Sequence, residues 1–209
     1  KKPVLSPPAE NRIKEVLTRF IGEIVQIPPM YSAVKVKGKK LYEWAREGIE
    51  VERPVRRVRI DQLELIEYVP HPPFPTITIK VACSKGTYIR TLCVDIGRSL
   101  GFPAHLTSLV RTKSGPFTLE DSVTVDVIEA WTPQDWQEKI LPIDTALRHF
   151  PSIRLDEKGA EKIRHGQKIL LKTKERKASL YRIYGPDRKL IALGRMNEYH
   201  WLKPEKVFH

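Results

Sequence analysis

Between Ala9 and Ile21 the apolar residues Ile13, Val16, Leu17, Phe20 and Ile21 recur at helical spacing, and Gly22 follows where such a helix must end. Glu23 to Ile27 then reads as a short strand, stopped by Pro28-Pro29 because proline has no N–H to give a neighbouring strand. Tyr31 therefore falls in a loop or an irregular edge. Leu41 to Glu47 predicts a short helix ended by Gly48, and Arg57 to Tyr68 alternates as a strand whose phase slips near Asp61-Gln62, the mark of a bulge. After a stiff connection, His71-Pro72-Pro73-Phe74-Pro75, the residues Ile77, Ile79, Val81 and Cys83 alternate with polar ones as one face of a strand. Its end delivers Ser84-Lys85-Gly86. Ile89, Leu92, Cys93, Ile96 and Leu100 then form the stripe of a helix over Thr87 to Leu100, closed by Gly101.

Beyond this strand–turn–helix unit the pattern weakens. Helices are predicted over Thr124 to Trp131 and Pro142 to His149, and the texture changes at Phe150-Pro151, where a domain boundary is expected. One short helix near Asp156 to Arg164 precedes three strands, Gln167 to Lys172, Ala178 to Tyr184 and Leu190 to Met196, separated by Lys, Gly, Pro and Asp. Few helices and several short strands predict a small barrel in 150–209, after a larger domain in 1–149.

Composition narrows the classes. At 209 residues and 41% hydrophobic the chain can bury a core, and no apolar run approaches the roughly 20 residues that cross a bilayer. No membrane association is expected. Lys and Arg total 37 against 25 Asp and Glu, a net charge of +12 that concentrates polyanions. Nucleic acid leads the candidate partners; lysine serving solubility, or a basic face for anionic lipid, are the alternatives. The charge is uneven: residues 35–59 hold nine basic side chains and four acidic, and residues 154–195 hold thirteen and five. Cys83 and Cys93, the only cysteines, have neither zinc spacing nor disulfide density, which fits a reducing cytoplasm.

Two segments carry candidate chemistry: Pro28-Pro29-Met30-Tyr31-Ser32-Ala33 and Cys83-Ser84-Lys85-Gly86-Thr87-Tyr88-Ile89-Arg90. Each places an aromatic ring among cations, which suits a flat anionic partner such as a nucleotide. If the chain is still extended at 88–90, Tyr88 and Arg90 point the same way and share one site. Arginine there can hold a carboxylate in a bidentate pair, and tyrosine can stack on a base or take part in proton transfer. The plainer alternative is that Tyr88 packs under the helix and Arg90 is a solvated helix residue. A proline-stiffened Tyr31 loop gives an extruded base a platform with little entropy to lose. No Walker or dinucleotide glycine loop, no H-E-x-x-H and no Ser/His/Asp arrangement occurs, so metal or serine-hydrolase chemistry is not expected and a nucleotide cofactor has no obvious seat.

Gln26-Ile27-Pro28-Pro29-Met30-Tyr31-Ser32-Ala33-Val34-Lys35, Gly38 to Gly48, Cys83 to Leu92 with Asp95-Ile96-Gly97, and Ala104-His105-Leu106 with Leu109 and Arg111-Thr112-Lys113-Ser114-Gly115 together resemble the TruB family of tRNA pseudouridine synthases. The resemblance covers about residues 21 to 117, and the tail from about 150 is similar to that family's PUA-like RNA-binding domain in composition and strand pattern. It implies an α+β fold: the C-terminal part of a mixed-sheet catalytic domain followed by a small β-rich PUA-like domain. It also implies isomerisation of uridine 55 in the T-loop of tRNA to pseudouridine, without metal or cofactor.

By the same resemblance Tyr31 stacks on the flipped uracil and Tyr88 lies against sugar and base as a proton-transfer participant. Arg90 pairs with the catalytic aspartate, Leu109 walls the uracil pocket against water, and Lys35, Lys39 and Lys85 grip the T-stem and loop. That aspartate belongs to a G-x-L-D-P type motif upstream of the first helix, and no such motif occurs in residues 1–209. The expectation is therefore that an upstream segment of the same protein supplies it, and that this polypeptide alone, a monomer, binds tRNA without isomerising uridine. A non-catalytic RNA-binding module or RNA chaperone is the alternative.

Overall fold

In the computed structural model, which describes residues 3–171 and 179–208, the chain divides into two compact units, Lys1–Leu109 and Val110–His209. The first begins with helix α1 (Glu10–Thr18), whose Ile13, Val16 and Leu17 are buried as the periodicity requires. Gly22, at φ +101°, turns the chain into strand β1 (Gly22–Gln26). A hairpin of two-residue strands, β2 (Lys35–Val36) and β3 (Lys39–Lys40), leads into helix α2 (Leu41–Arg46). The long strand β4 (Arg56–Val69) pairs antiparallel with both β1 and β5 (Thr76–Cys83), giving the order β1-β4-β5. Helix α3 (Ile89–Leu100) follows and ends at Gly101, which takes the left-handed conformation.

Helices α1 and α3 share one core with the sheet: Ile13, Val16 and Leu17 meet Ile60, Leu63, Leu92, Ile96 and Leu100. Along β4 the inward residues Ile60 and Leu63 are three apart, and so are Leu65 and Tyr68. Strict alternation cannot place both members of such a pair on one face. The pairing with β5 accordingly shifts between Ile60 and Gln62 and again between Leu65 and Glu67, each shift absorbing one extra residue. The first is the bulge predicted at Asp61-Gln62.

The second unit opens with a small hairpin, β6 (Lys113–Ser114) and β7 (Phe117–Thr118), followed by α4 (Val125–Glu129) and α5 (Pro133–Lys139). Where a helix was expected over Pro142 to His149, the chain makes a 3₁₀ turn, Ile143–Leu147. Then come β8 (Ser152–Arg154), α6 (Glu157–Arg164), β9 (Ile169–Leu170), β10 (Leu180–Tyr184), β11 (Leu190–Met196) and β12 (Trp201–Val207). The strands form one sheet in the order β8-β10-β11-β12-β9, with β8 parallel to β10. Ala160 and Ile163 of α6 complete its core with Tyr181, Ile183, Ile191, Ala192, Met196 and Leu202.

The strand expected over Gln167 to Lys172 is only Ile169–Leu170, and the one expected from Ala178 starts at Leu180; Lys172 and Ala178 lie outside the described residues. The two compact units meet between Leu109 and Val110, so position 150, where the texture of the sequence changes, lies within the second unit.

Candidate nucleic-acid site

Strand β1 ends by driving a glutamine inward. Gln26 shares its face with Ile24 and is 2% exposed, and its carboxamide lies along the backbone of Tyr88. Oε1 accepts the Tyr88 N–H at 2.9 Å and Nε2 donates to the Tyr88 carbonyl at 3.3 Å. Three further bonds hold the segment that follows. Thr91 Oγ1 donates to Ile27 O at 3.4 Å, Arg53 Nη1 to Pro28 O at 3.2 Å, and Arg90 Nη2 to Tyr31 O at 2.8 Å. The loop that carries Tyr31 is thereby tied to the start of α3.

At the other side of the site β5 stops at Cys83, and Ser84 caps the sheet edge: its N–H donates to Arg59 O at 2.8 Å while its Oγ accepts the Arg59 N–H at 2.9 Å. Gly86 turns the chain at φ +85°, a conformation costly for any residue with a side chain. Thr87 Oγ1 closes the turn on Ser84 O at 2.8 Å. Tyr88 is the last extended residue, at φ −96° and ψ 102°, and Ile89 is the first helical one. The condition of an extended 88–90 segment is therefore not met. What brings Tyr88, Arg90 and Tyr31 together is the hydrogen bonding of α3's first turn to the 26–31 segment.

The resulting surface is polar and accessible. Tyr31 is 61% exposed, Tyr88 is half-buried and Arg90 is exposed. Among the described residues no carboxylate lies within 4 Å of the Arg90 guanidinium, so its remaining N–H donors can receive one in the paired geometry that arginine favours.

Cations border this surface unequally. Lys35 and Lys85 are exposed, whereas Lys39 pairs with Glu47 at 2.6 Å and sits 4.7 Å from the centre of the Trp44 ring. Trp44 is itself fixed by its indole N–H donating to Val36 O at 3.1 Å. Lys37 takes the left-handed position, φ 51°, beside Gly38 at φ 83° in the two-residue tip of the β2–β3 hairpin. Leu109 is 62% exposed at the end of the first unit and belongs to neither hydrophobic cluster.

Sequence reasoning gave Gln26 no individual role and took Arg53 and Lys37 only as members of the basic 35–59 segment. A signal for Gln26 was present: it is the polar residue at an inward position of β1. Nothing local marks Arg53 as the partner of a carbonyl 25 residues away.

In the second unit Tyr184 donates its phenol to Asp144 Oδ2 at 2.7 Å and accepts from Arg182 Nη1 at 3.1 Å; burial, then the Asp144 bond, pushes its pKa up. Tyr184, Arg188, Lys189 and Phe208 line an open cavity of about 430 Å³ nearby. Among the described residues no group of three or more His, Cys, Asp or Glu could hold a metal ion, and no helix is long and apolar enough to cross a membrane.

Three family patterns match consecutive stretches of the chain. They are the TruB family pseudouridylate synthase N-terminal domain over residues 1–89, the tRNA pseudouridylate synthase B C-terminal domain over 90–148, and the pseudouridine synthase II TruB C-terminal domain over 151–208. The tRNA pseudouridine synthase B of Halalkalibacterium halodurans is 44% identical over 210 residues, covering 99% of this chain and 68% of that protein. That of Geobacillus kaustophilus is 50% identical over 173 residues, covering 81% and 61%. A crystal structure of a Cbf5–Nop10–Gar1 complex holds a chain that superposes with a TM-score of 0.72 at 26% identity, covering 98% of this chain and 63% of that one. The chain thus spans roughly two thirds of the length of the proteins it is similar to.

Proposed function

Since this chain belongs to the TruB family of pseudouridine synthases, we propose that it carries the base-binding and RNA-gripping parts of an enzyme that isomerises a uridine of tRNA, uridine 55 of the T-loop, to pseudouridine. The observation that carries the reading is the junction of Tyr31, Tyr88 and Arg90. A solvent-facing ring and a guanidinium with open donors are held together by bonds from α3 to the loop before it. A flipped uracil stacks on Tyr31, and Tyr88 lies against the sugar and base.

Arg90 orients a carboxylate, and Leu109 screens the base from water. Lys35, Lys85 and, once released from Glu47, Lys39 hold the stem and loop, while residues 150–209 act as a PUA-like RNA-binding domain. In the reaction the N1–C1′ bond breaks, uracil turns, C5 bonds to C1′, and the C5 proton leaves as N1 gains one. A carboxylate at the sugar is needed to assist that cleavage. Its proposed source is an aspartate of an upstream segment of the same protein, outside these 209 residues.

The test is release of tritium from C5-labelled uridine in a T-loop transcript by the complete polypeptide. Release is expected, and Arg90→Ala should slow it by about 100-fold or more, the scale of losing catalytic orientation, with transcript binding changed only a few-fold. Binding without any release would leave a non-catalytic RNA-binding module.

A further inference from the structure

We infer that Gln26 is a positioning residue of this reaction: its carboxamide, bonded to both the N–H and the C=O of Tyr88, fixes the distance between the Tyr88 and Tyr31 side chains. The inference rests on the pseudouridine synthase reading. A carboxamide at an inward strand position is unfavourable unless both its donor and its acceptor are satisfied, and an aliphatic residue fills such a position without that demand, as Ile24 does two residues earlier on the same face. Packing alone therefore gives no reason for glutamine.

Both bonds go to one residue, and that residue is the pivot between the Gly86 turn and α3. Gln26 in turn is the last residue of β1, immediately before the Ile27–Tyr31 segment. The clamp sits where the two aromatic arms leave the rigid sheet and helix. The outer bonds, Thr91 to Ile27 and Arg90 to Tyr31, come from a half-buried threonine and an exposed arginine, and each is made to a single carbonyl. Gln26, by contrast, is buried and holds both the N–H and the C=O of one residue, so it sets the register that the outer bonds follow. Loosening it shifts Tyr88 against Tyr31 while leaving Lys35, Lys37 and Lys85 in place.

The test uses the complete enzyme in single-turnover tritium release, with transcript binding and thermal unfolding measured alongside. Gln26→Leu should lower the rate at least tenfold with affinity within threefold of wild type, as expected for lost orientation. Gln26→Glu is nearly isosteric. Protonated, it reproduces both bonds; ionised, it sets a carboxylate oxygen against the Tyr88 carbonyl, and burial raises the pH at which it ionises. Its rate relative to wild type should therefore climb as pH is lowered from about 8.5 to about 5.5, every other titrating group dividing out of the ratio.

A ratio flat across that range, or a folded Gln26→Leu enzyme within twofold of wild type, overturns the inference. Where the leucine variant does not fold, the glutamate ratio decides alone. A complete wild-type protein that releases no tritium overturns the synthase reading itself, and the inference with it.

Discussion

Lys37 sits in a backbone conformation that glycine or asparagine adopts more readily, at the tip of a two-residue hairpin where such residues are favoured. A lysine there is exposed, strained and presented to solvent, which fits a cation kept for contact with phosphate. Lys37→Gly should relieve about 1 kcal/mol of local strain, read as a higher midpoint in denaturant. It should also weaken tRNA binding and lower the slope of log affinity against log salt by about 1, the signature of one lost phosphate contact. A glycine variant with unchanged salt slope would remove Lys37 from the RNA surface. At this scale the sequence was partly legible. Tyr31, Tyr88 and Arg90 stand out by chemical type and by their glycine and proline neighbours. The bonds that join them, Gln26 to Tyr88 across 62 positions and Arg90 to Tyr31 across 59, are long-range and leave no local trace beyond one polar residue on an apolar face.

Elements were legible wherever periodicity was strong. The stripe of α1, the closure of α3 at Gly101 and the bulge in β4 follow from spacing alone. Helix α5 has no apolar stripe, yet it forms on its N-terminal chemistry: Thr132 Oγ1 accepts the Asp135 N–H at 3.2 Å, the Asp135 carboxylate accepts from the Thr132 N–H and hydroxyl, and Lys139 pairs with it one turn on. Those contacts, the Lys139 bond first and then the Thr132 bonds, hold the Asp135 carboxyl well below the usual carboxylate range. A lowered folded-state pKa gives stability that is present above the unfolded value of about 3.9 and is lost as pH falls through the folded one. The unfolding midpoint of Asp135→Asn should therefore lie below wild type at neutral pH, and the gap should close only in strong acid. Strand β12 is obscured in sequence by Pro204, which opposes Gly194 where the pairing with β11 slips. A Cβ at Gly194 would meet Ile183 Cδ1 at 2.6 Å and Lys203 O at 2.9 Å. Gly194→Ala should thus destabilise the second unit by ~1–3 kcal/mol, detectable as an earlier melting transition, with the first unit's core untouched.

For the whole molecule, a net charge of +12 over 209 residues gives an affinity for RNA that depends on salt and says little about sequence. The base-binding chemistry proposed for the site centres on the 26–31 and 84–91 segments, which are hydrogen-bonded to one another. The second unit has its own core around α6 and the five-stranded sheet. The division of labour proposed for the protein follows: this chain binds tRNA and presents Tyr31, Tyr88 and Arg90 to a uridine, and the carboxylate that completes the site comes from outside it. The most direct measurement is tritium release from a C5-labelled T-loop transcript, made in the same samples as a binding assay, for the 209-residue polypeptide and for the complete protein. Binding by both with release only by the complete protein is the predicted result; release by the 209-residue polypeptide alone would contradict the account.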